Sequence, residues 1–212
     1  MPNITAPALT FPSRSFPVQQ AGAPTGVVGE LALSQLVGRY AALVKAQKVF
    51  YTSAIVTSPV IYSTAAQKGP MLWNRPGSGF DAHVIAVSIG APTTATSVAG
   101  SLGWAANVQP TAPTSPGTAL VAVNAYAGGP TSGLGFIGST GTVIILPVPT
   151  FSPLFPINTA TAGTAMSALQ QSNIDVSGMF VVGPGNVGYI GSDATLTSGV
   201  LTIGIMWAEL PT

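Results

Sequence analysis

The motif nearest to cofactor chemistry is GPGNVG at residues 183–188, which matches the dinucleotide fingerprint G-x-G-x-x-G. In that fingerprint the N-terminus of a following helix binds the pyrophosphate. Residues 189–193 read YIGSD, which is typical of a strand and a turn, and Pro184 lacks the backbone N–H that a phosphate would need. We therefore predict a hairpin turn here and no nucleotide cofactor.

Asp81 and His83 are a second candidate pair, because residues two apart on a strand share one face. A catalytic triad would add a serine, but no serine of this chain lies in a nucleophile-elbow context. One histidine and one aspartate cannot form a metal site without distant partners. The five acids are scattered singly, so a paired-carboxylate site would arise only if the fold gathered them. We predict no catalytic residue, no metal and no enzyme activity.

Three tryptophans are the remaining residues suited to ligand contact, since their rings stack on sugars and on protein surfaces. Trp207 lies inside an alternating apolar segment, so we assign it to the core. Trp73 and Trp104 lie close to predicted turns. We predict that these two side chains contact a partner protein or a glycan.

The chain carries very little charge for its 212 residues. Charged residues make up 5 % of it, against roughly 25 % in an average soluble protein. A soluble monomer normally keeps about a quarter to a third of its surface charged, which eleven formal charges (6 + 5) cannot supply. We therefore expect much of the surface to be covered by further copies of the chain or by other proteins.

The six cations all fall within the first 75 residues, where Glu30 is the only acid. They are Arg14, Arg39, Lys45, Lys48, Lys68 and Arg75. Five net positive charges (6 − 1) over this length are too sparse for nucleic-acid binding, which clusters Lys and Arg. The pattern favours docking on an acidic protein surface, with Arg39, Lys45 and Lys48 among the contact residues, and no specific nucleic acid.

The chain divides by composition into an arm, a helix and a β-domain. Residues 1–25 hold five prolines at intervals of five to seven, which predicts an extended arm with Phe11 and Phe16 as its apolar contact residues. Residues 26–48 show helical periodicity, with apolar residues at offsets of 0, 3, 4, 7 and 11 from Leu33. Residues 49–212 form the predicted β-domain.

Processing and membrane signals are absent from this sequence as printed. It has no cysteine, which excludes disulfides and thiolate metal sites. Its first residues lack the basic and apolar regions of a secretory signal. No run of about 18 apolar residues free of Pro and Gly occurs, so we expect no transmembrane helix and no membrane partner.

The β-domain reads as about nine to eleven short strands separated by turns. In AHVIAVSIG, residues 82–90, strict alternation places Val84 and Ala86 on one face, and Ile85 and Val87 on the other. A hairpin is predicted to join 133–138 to 142–147, and four prolines make 147–156 an extended connection rather than an interior strand. The pattern predicts an all-β, antiparallel, jelly-roll-like sandwich. A helical turn is predicted within 159–171.

Three stretches carry a resemblance to a known group of proteins: GELALSQLVGRYAALVKAQKVF at 29–50, LWNRPGSG at 72–79 and IGIMWAELP at 203–211. They resemble small structural proteins of tailed bacteriophages, over about two thirds of the chain. In that resemblance a helix precedes a jelly-roll-like domain, and a W-N-x-P-G-S-G turn, with Arg75 at its open position, begins a hydrophobic strand. The resemblance implies a virion component, often trimeric, and supplies no catalytic residue.

The leading hypothesis is a non-enzymatic virion protein that decorates or cements the capsid or serves as a minor head subunit. It would be a homotrimer assembled in the host cytoplasm, with other virion proteins such as the major capsid protein as partners. Two alternatives stay open at this point. One is a tail or fibre module that recognises a host by binding glycans through Trp73 and Trp104, and the other is a self-polymerising coat protein.

Overall fold

The computed structural model describes residues 40–57, 60–90, 100–113, 119–157, 172–194 and 200–212. The predicted arm, the first fourteen residues of the predicted helix and the predicted helical turn within 159–171 lie outside these ranges. The chain divides into two units, Met1–Gln47 and Lys48–Thr212.

The described part of the first unit contains one short helix, α1 (Ala41–Lys45). The Val44 N–H donates to the Tyr40 carbonyl at 3.0 Å. Lys45 lies in the last turn, where a cation complements the helix dipole. The helix ends three residues before the predicted Lys48, because Gln47 has a φ of 59°, outside the right-handed helical region.

The described part of the second unit contains ten strands. They are β1 (Val49–Thr57), β2 (Ala66–Asn74), β3 (Phe80–Gly90), β4 (Gly100–Val108), β5 (Val123–Asn124), β6 (Phe136–Thr142), β7 (Thr150–Ile157), β8 (Ser172–Val182), β9 (Asn186–Ser192) and β10 (Val200–Pro211). The number and the all-β class agree with the prediction.

The ten strands form two five-stranded sheets in which every ladder is antiparallel. We call them the β10 sheet, with the order β5-β1-β10-β3-β8, and the β9 sheet, with the order β6-β2-β9-β4-β7. The ladders include β1 with β10, β2 with β9, β3 with β8 and β4 with β7. Strands far apart in sequence are therefore neighbours in space.

Side chains from both sheets share one hydrophobic core. Trp207 of β10 is fully buried and stacks on Phe50 of β1, with ring centroids 6.0 Å apart. Trp104 of the β9 sheet stacks on Phe180 of the β10 sheet at 5.7 Å, so this contact joins the two sheets. A shared core of this kind is consistent with the predicted sandwich, and the assignment of Trp207 to the core is confirmed.

A β-bulge in β3 makes the predicted strict alternation of this strand wrong. Its register against β10 shifts at Ile85, so two residues of β3 oppose one of β10 there. Against β8 the extra residues lie on the partner, since residues 176–179 fall between the partners of Ala86 and Val84. Val84 and Val87 consequently both enter the shared core although they are three residues apart. Ala86 lies on the opposite face, the outer face of the β10 sheet.

Two further predictions about this region need correction. Residues 136–142 form the single strand β6 along β2 instead of a hairpin, because pairing with β2 satisfies the backbone donors that a local turn would have paired. Residues 150–157 form the strand β7 rather than a connection. That strand lies at the edge of the β9 sheet. Pro153 and Pro156 lack a backbone N–H, but at an edge this does not remove a hydrogen bond from the interior of the sheet.

The two turns that the sequence marks most strongly are confirmed. Residues 75–79 join β2 to β3, and both Gly77 and Gly79 adopt positive φ, of 72° and 80°, which glycine tolerates best. Residues 183–185 join β8 to β9, with Gly185 at φ 79°. The dinucleotide-like motif is therefore a turn followed by a strand, as predicted, but the turn is not a hairpin, because β8 and β9 belong to different sheets.

Buried neutral amides tie several loops to the sheets. Gln67 Nε2 donates to three carbonyl oxygens of the 61–64 turn, at 3.0, 3.1 and 2.5 Å. Asn74 Nδ2 donates to the carbonyls of Phe80 and Val182, at 2.7 and 2.9 Å. Since buried donors left unpaired cost free energy, these amides fix the loops without adding charge.

Among the described residues, Glu209 is the buried acid, with 8 % of its surface exposed. Its carboxylate accepts from Ser132 Oγ at 2.5 Å, from the Gly133 N–H at 2.9 Å and from Trp207 Nε1 at 3.1 Å. Three donors around one carboxylate replace the water that it loses. The connection between β5 and β6 is thereby held against β10.

Candidate interaction surface

The outer face of the β9 sheet is covered by the chain itself. Its side chains form a second core cluster, composed of Met71, Trp73, Ala105, Val187 and Tyr189 with Val143. Loop and edge-strand residues pack over it, and among them Tyr62 stacks on Phe151 with ring centroids 4.5 Å apart. This face is therefore covered, although the connection between β6 and β7 that packs there exposes Leu146 and Val148, at 78 % and 62 %.

The outer face of the β10 sheet is open by comparison. Along β1, buried residues alternate with exposed ones, and Tyr51 and Ile55 are 44 % and 71 % exposed. At the far edge of the sheet, Val181 of β8 is 44 % exposed. Apolar side chains thus lie in solvent on the face that the described chain leaves uncovered, which is typical of an interaction surface.

A shallow depression of about 190 Å³ lies on this open face. Strand register explains its shape, because directly paired residues lie side by side on one face of a sheet. Ser53 pairs with Gly204, Gly204 with Ser88, and Ser88 with Asn173. Four residues with small or short polar side chains therefore form a row across four strands, and this row is the floor of the depression.

Larger side chains stand in the rows on either side of this floor. One row contains Tyr51 paired with Met206, and the other contains Ile55 paired with Thr202. We call the floor together with these two rows the cross-strand groove. It runs across the strands, with neutral hydroxyl and amide groups at its base and apolar groups along its sides.

Gly204, like Gly90 of β3, is a strand glycine that the packing of the fold does not require. A Cβ at Gly188 would lie 2.1 Å from Trp104 Cζ2, and one at Gly103 would lie 2.2 Å from the Ser152 carbonyl oxygen. At Gly204 the single close atom is Ser88 Oγ at 2.6 Å, a side-chain end that can rotate away. A glycine inside a strand weakens the strand and often marks a place where another backbone approaches closely.

The residues that line the depression are uncharged, and Asp175 lies beside it, at the β8 end of the row that contains Tyr51, Met206 and Ala86. Elsewhere, hydrogen bonds from the Ser101 backbone and side chain lower the pKa of Asp193 below its usual value, at a site exposed to solvent. In the described residues no group of three or more His, Asp or Glu side chains could hold a metal ion. Asp81 and His83 are both half-buried on β3.

The predicted contact residues have different positions in the structure. Lys45 and Lys48 are exposed, each within its own unit. Trp73 and Trp104 are 8 % and 3 % exposed, and Trp73 Nε1 donates to the Gln109 carbonyl at 2.6 Å. Their burial speaks against the predicted role as contacts for a partner or a glycan.

Three predicted contact residues lie outside the described ranges: Phe11, Phe16 and Arg39.

No pattern in the sequence predicts the cross-strand groove directly. Alternation in β10 does place Thr202, Gly204 and Met206 on one face, but the floor arises only when three other strands align beside Gly204. Those strands come from distant parts of the chain. Long-range register cannot be read from a single sequence.

Buried Tyr189 makes the stability of the β-domain sensitive to alkaline pH. Its hydroxyl donates to the Tyr62 carbonyl at 2.8 Å, and burial raises its pKa far above the ordinary value of 10.0. The folded state keeps this proton at a pH where the unfolded state loses it, so the contribution is full below pH about 10 and is lost as pH rises above it.

We predict that the free energy of unfolding falls above pH about 10 by up to about 1.4 kcal/mol per pH unit from this residue. Tyr189→Phe should remove that part of the slope while costing about 1 kcal/mol at neutral pH. Urea unfolding at several pH values measures both effects. Tyr126→Phe, at an exposed position, is the control, and an unchanged slope in Tyr189→Phe would contradict the assignment.

Comparison of the chain with models of protein families, with curated proteins and with solved structures found no match. Within the described ranges, no helix is long and apolar enough to cross a membrane.

Proposed function

We propose that the two sheets form a jelly roll. The ladders are nested, since β1 pairs with β10, β2 with β9, β3 with β8 and β4 with β7. Nested pairs of this kind describe one long antiparallel hairpin wrapped around a core, as in eight-stranded jelly rolls. In this interpretation, β5 and β6 are an insertion at the end of the hairpin.

We propose further that the chain is a non-enzymatic assembly subunit that buries the outer face of the β10 sheet against a neighbour. The observation that carries this proposal is the difference between the two outer faces. One is covered by the chain's own loops, and the other is left uncovered by the described residues and is largely apolar, with Asp175 as a charged residue on it. Burying such a face contributes roughly 25 cal/mol per Å² of apolar area removed from water. Because the residues lining the depression are uncharged, burying them adds no cost of removing a charge from water.

The assembly that we propose is a virion of a tailed bacteriophage, with the chain as a capsid decoration or cement protein or a minor head subunit. The resemblance of residues 29–50, 72–79 and 203–211 supports this, as does a charge content of only 5 %. Its partners would be further copies of the chain, as a trimer, and the major capsid protein. No enzyme activity and no cofactor form part of this proposal.

A self-polymerising coat protein remains the second candidate, because an exposed apolar face is equally compatible with a closed oligomer and with an assembly that continues to grow. The glycan-binding alternative has less support, since the two tryptophans proposed for it lie in the interior.

The native mass of the purified full-length chain, with negative-stain microscopy, tests the proposal. We expect a discrete trimer near three times 21.2 kDa, which would indicate a subunit that docks onto another protein. Shells or filaments would instead identify the coat protein. A monomer at micromolar concentration, with no particles, would overturn the assembly proposal and reopen the question of an enzyme.

A further inference from the structure

We propose that the cross-strand groove receives the N-terminal arm, residues 1–25, of a second copy of the chain. This inference rests on the proposed function, in that it presupposes assembly, and it assigns one surface and one occupant to that assembly. The surface is the groove across β1, β10, β3 and β8. The occupant is the Pro-rich segment that precedes the helix in the sequence.

The dimensions of the groove suit a short extended peptide. Four neighbouring strands span three spacings of about 4.8 Å, or about 14 Å. A polyproline II segment rises about 3.1 Å per residue, so about five residues fill this length. The prolines of the arm recur at intervals of five to seven, which places one of them within most segments of that size.

The chemistry of the groove suits the same segment. A polyproline II backbone forms no internal hydrogen bonds, so its carbonyl groups need external donors. The hydroxyls of Ser53 and Ser88 and the amide of Asn173 supply such donors at the floor. Tyr51 and Met206 supply the aromatic and apolar contacts on which proline-rich peptides dock.

Charge and entropy favour this occupant over a charged or flexible one. Residues 1–25 contain one charged side chain, Arg14, and the residues lining the depression contain none, with Asp175 at the β8 end of the adjoining row, so docking removes little charge from water. Prolines restrict the unbound chain and reduce the entropy lost on binding. At about 3.1 Å per residue, 25 residues reach about 78 Å, which is far enough to span a neighbouring copy.

Gly204 indicates that a backbone comes close to the floor. It lies in the middle of a central strand, and the described glycines with positive φ do not include it. A valine there should be compatible with the strand. The one close contact of a Cβ at this position is with Ser88 Oγ, which can rotate away. The same valine would fill the groove, so Gly204→Val separates occupancy from folding.

Photo-crosslinking of the full-length chain tests the proposal. Phe16 is replaced by p-benzoylphenylalanine, and a ¹⁵N-labelled preparation is mixed with an unlabelled one before irradiation. We expect crosslinks between differently labelled copies that map to peptides of β1 or β10 beside the groove. Gly204→Val should lower their yield at least tenfold, while Thr57→Val, on the same face but outside the groove, should not.

Crosslinks confined to one copy, crosslinks to other surfaces, or a yield unaffected by Gly204→Val would each overturn the docking site. Thermal unfolding of Gly204→Val and Thr57→Val must give similar midpoints, which excludes misfolding as the cause of a lost crosslink. The native mass distinguishes the two proposals. An oligomer whose crosslinks miss the groove would overturn this inference alone, whereas a monomer would overturn the proposed function as well.

Discussion

Gly188→Ala should lower the free energy of unfolding of the β-domain by about 3 kcal/mol, near the upper end of overpacking costs. The added Cβ would lie 2.1 Å from Trp104 Cζ2 and 2.9 Å from Val182 Cγ2. Trp104 is 3 % exposed and stacked on Phe180, so it has no room to move aside. In a domain of this size the midpoint of thermal unfolding should fall by roughly 6–12 °C.

Gly204→Ala is the matched control, because it makes the same chemical change inside a strand but on the open face. It should leave stability within about 1 kcal/mol of the parent, or raise it slightly, since alanine restricts the unfolded chain. Urea unfolding of both variants measures the difference. Equal effects would show that the contact of Gly188 with Trp104 does not limit the packing of the core.

Deletion of residues 1–25 should abolish assembly while leaving the β-domain folded. The second unit, Lys48–Thr212, has its own core and its own ladders, so its thermal midpoint should change by only a few degrees. Assembly should fail because the arm is the segment proposed to reach a neighbouring copy. Native mass and sedimentation of the deleted chain, compared with the full chain, measure this at matched concentrations.

A second variant separates the effect of the length of the arm from the effect of its composition. Replacing residues 1–25 by a Gly/Ser segment of equal length keeps the tail and removes Phe11, Phe16 and the five prolines. This variant should behave as the deletion does. If either variant assembles as the full chain does, the arm has no role in assembly, and the open face alone would have to account for it.

Local signals were enough to predict most of the strands. Alternating residues at 82–90 located β3, and the alternating apolar segment around Trp207 located β10. The turns at 75–79 and 183–185 followed from glycine and proline, whose backbone preferences act within a few residues. The same local reasoning excluded a nucleotide site, because a strand follows Gly188 where a helix would be needed.

Local reasoning failed where the partner strand decided the outcome. The bulge at Ile85 changes which residues of β3 face the core, and it exists only in relation to β10. Residues 136–142 form one strand because β2 lies beside them. Trp73 and Trp104 lie near turns in sequence, yet loops and the opposite sheet bury them.

The sequence by itself determined the all-β class, the strong turns and the scarcity of charge, because each depends on residue type and near neighbours. Only the tertiary structure decided which outer face is open. The β9 sheet is covered by Tyr62 and Phe151 from distant segments, and the groove needs Gly204 aligned with Ser53 and Ser88. The physical reason is that burial and strand register are set by contacts between residues far apart in the chain, which no local pattern encodes.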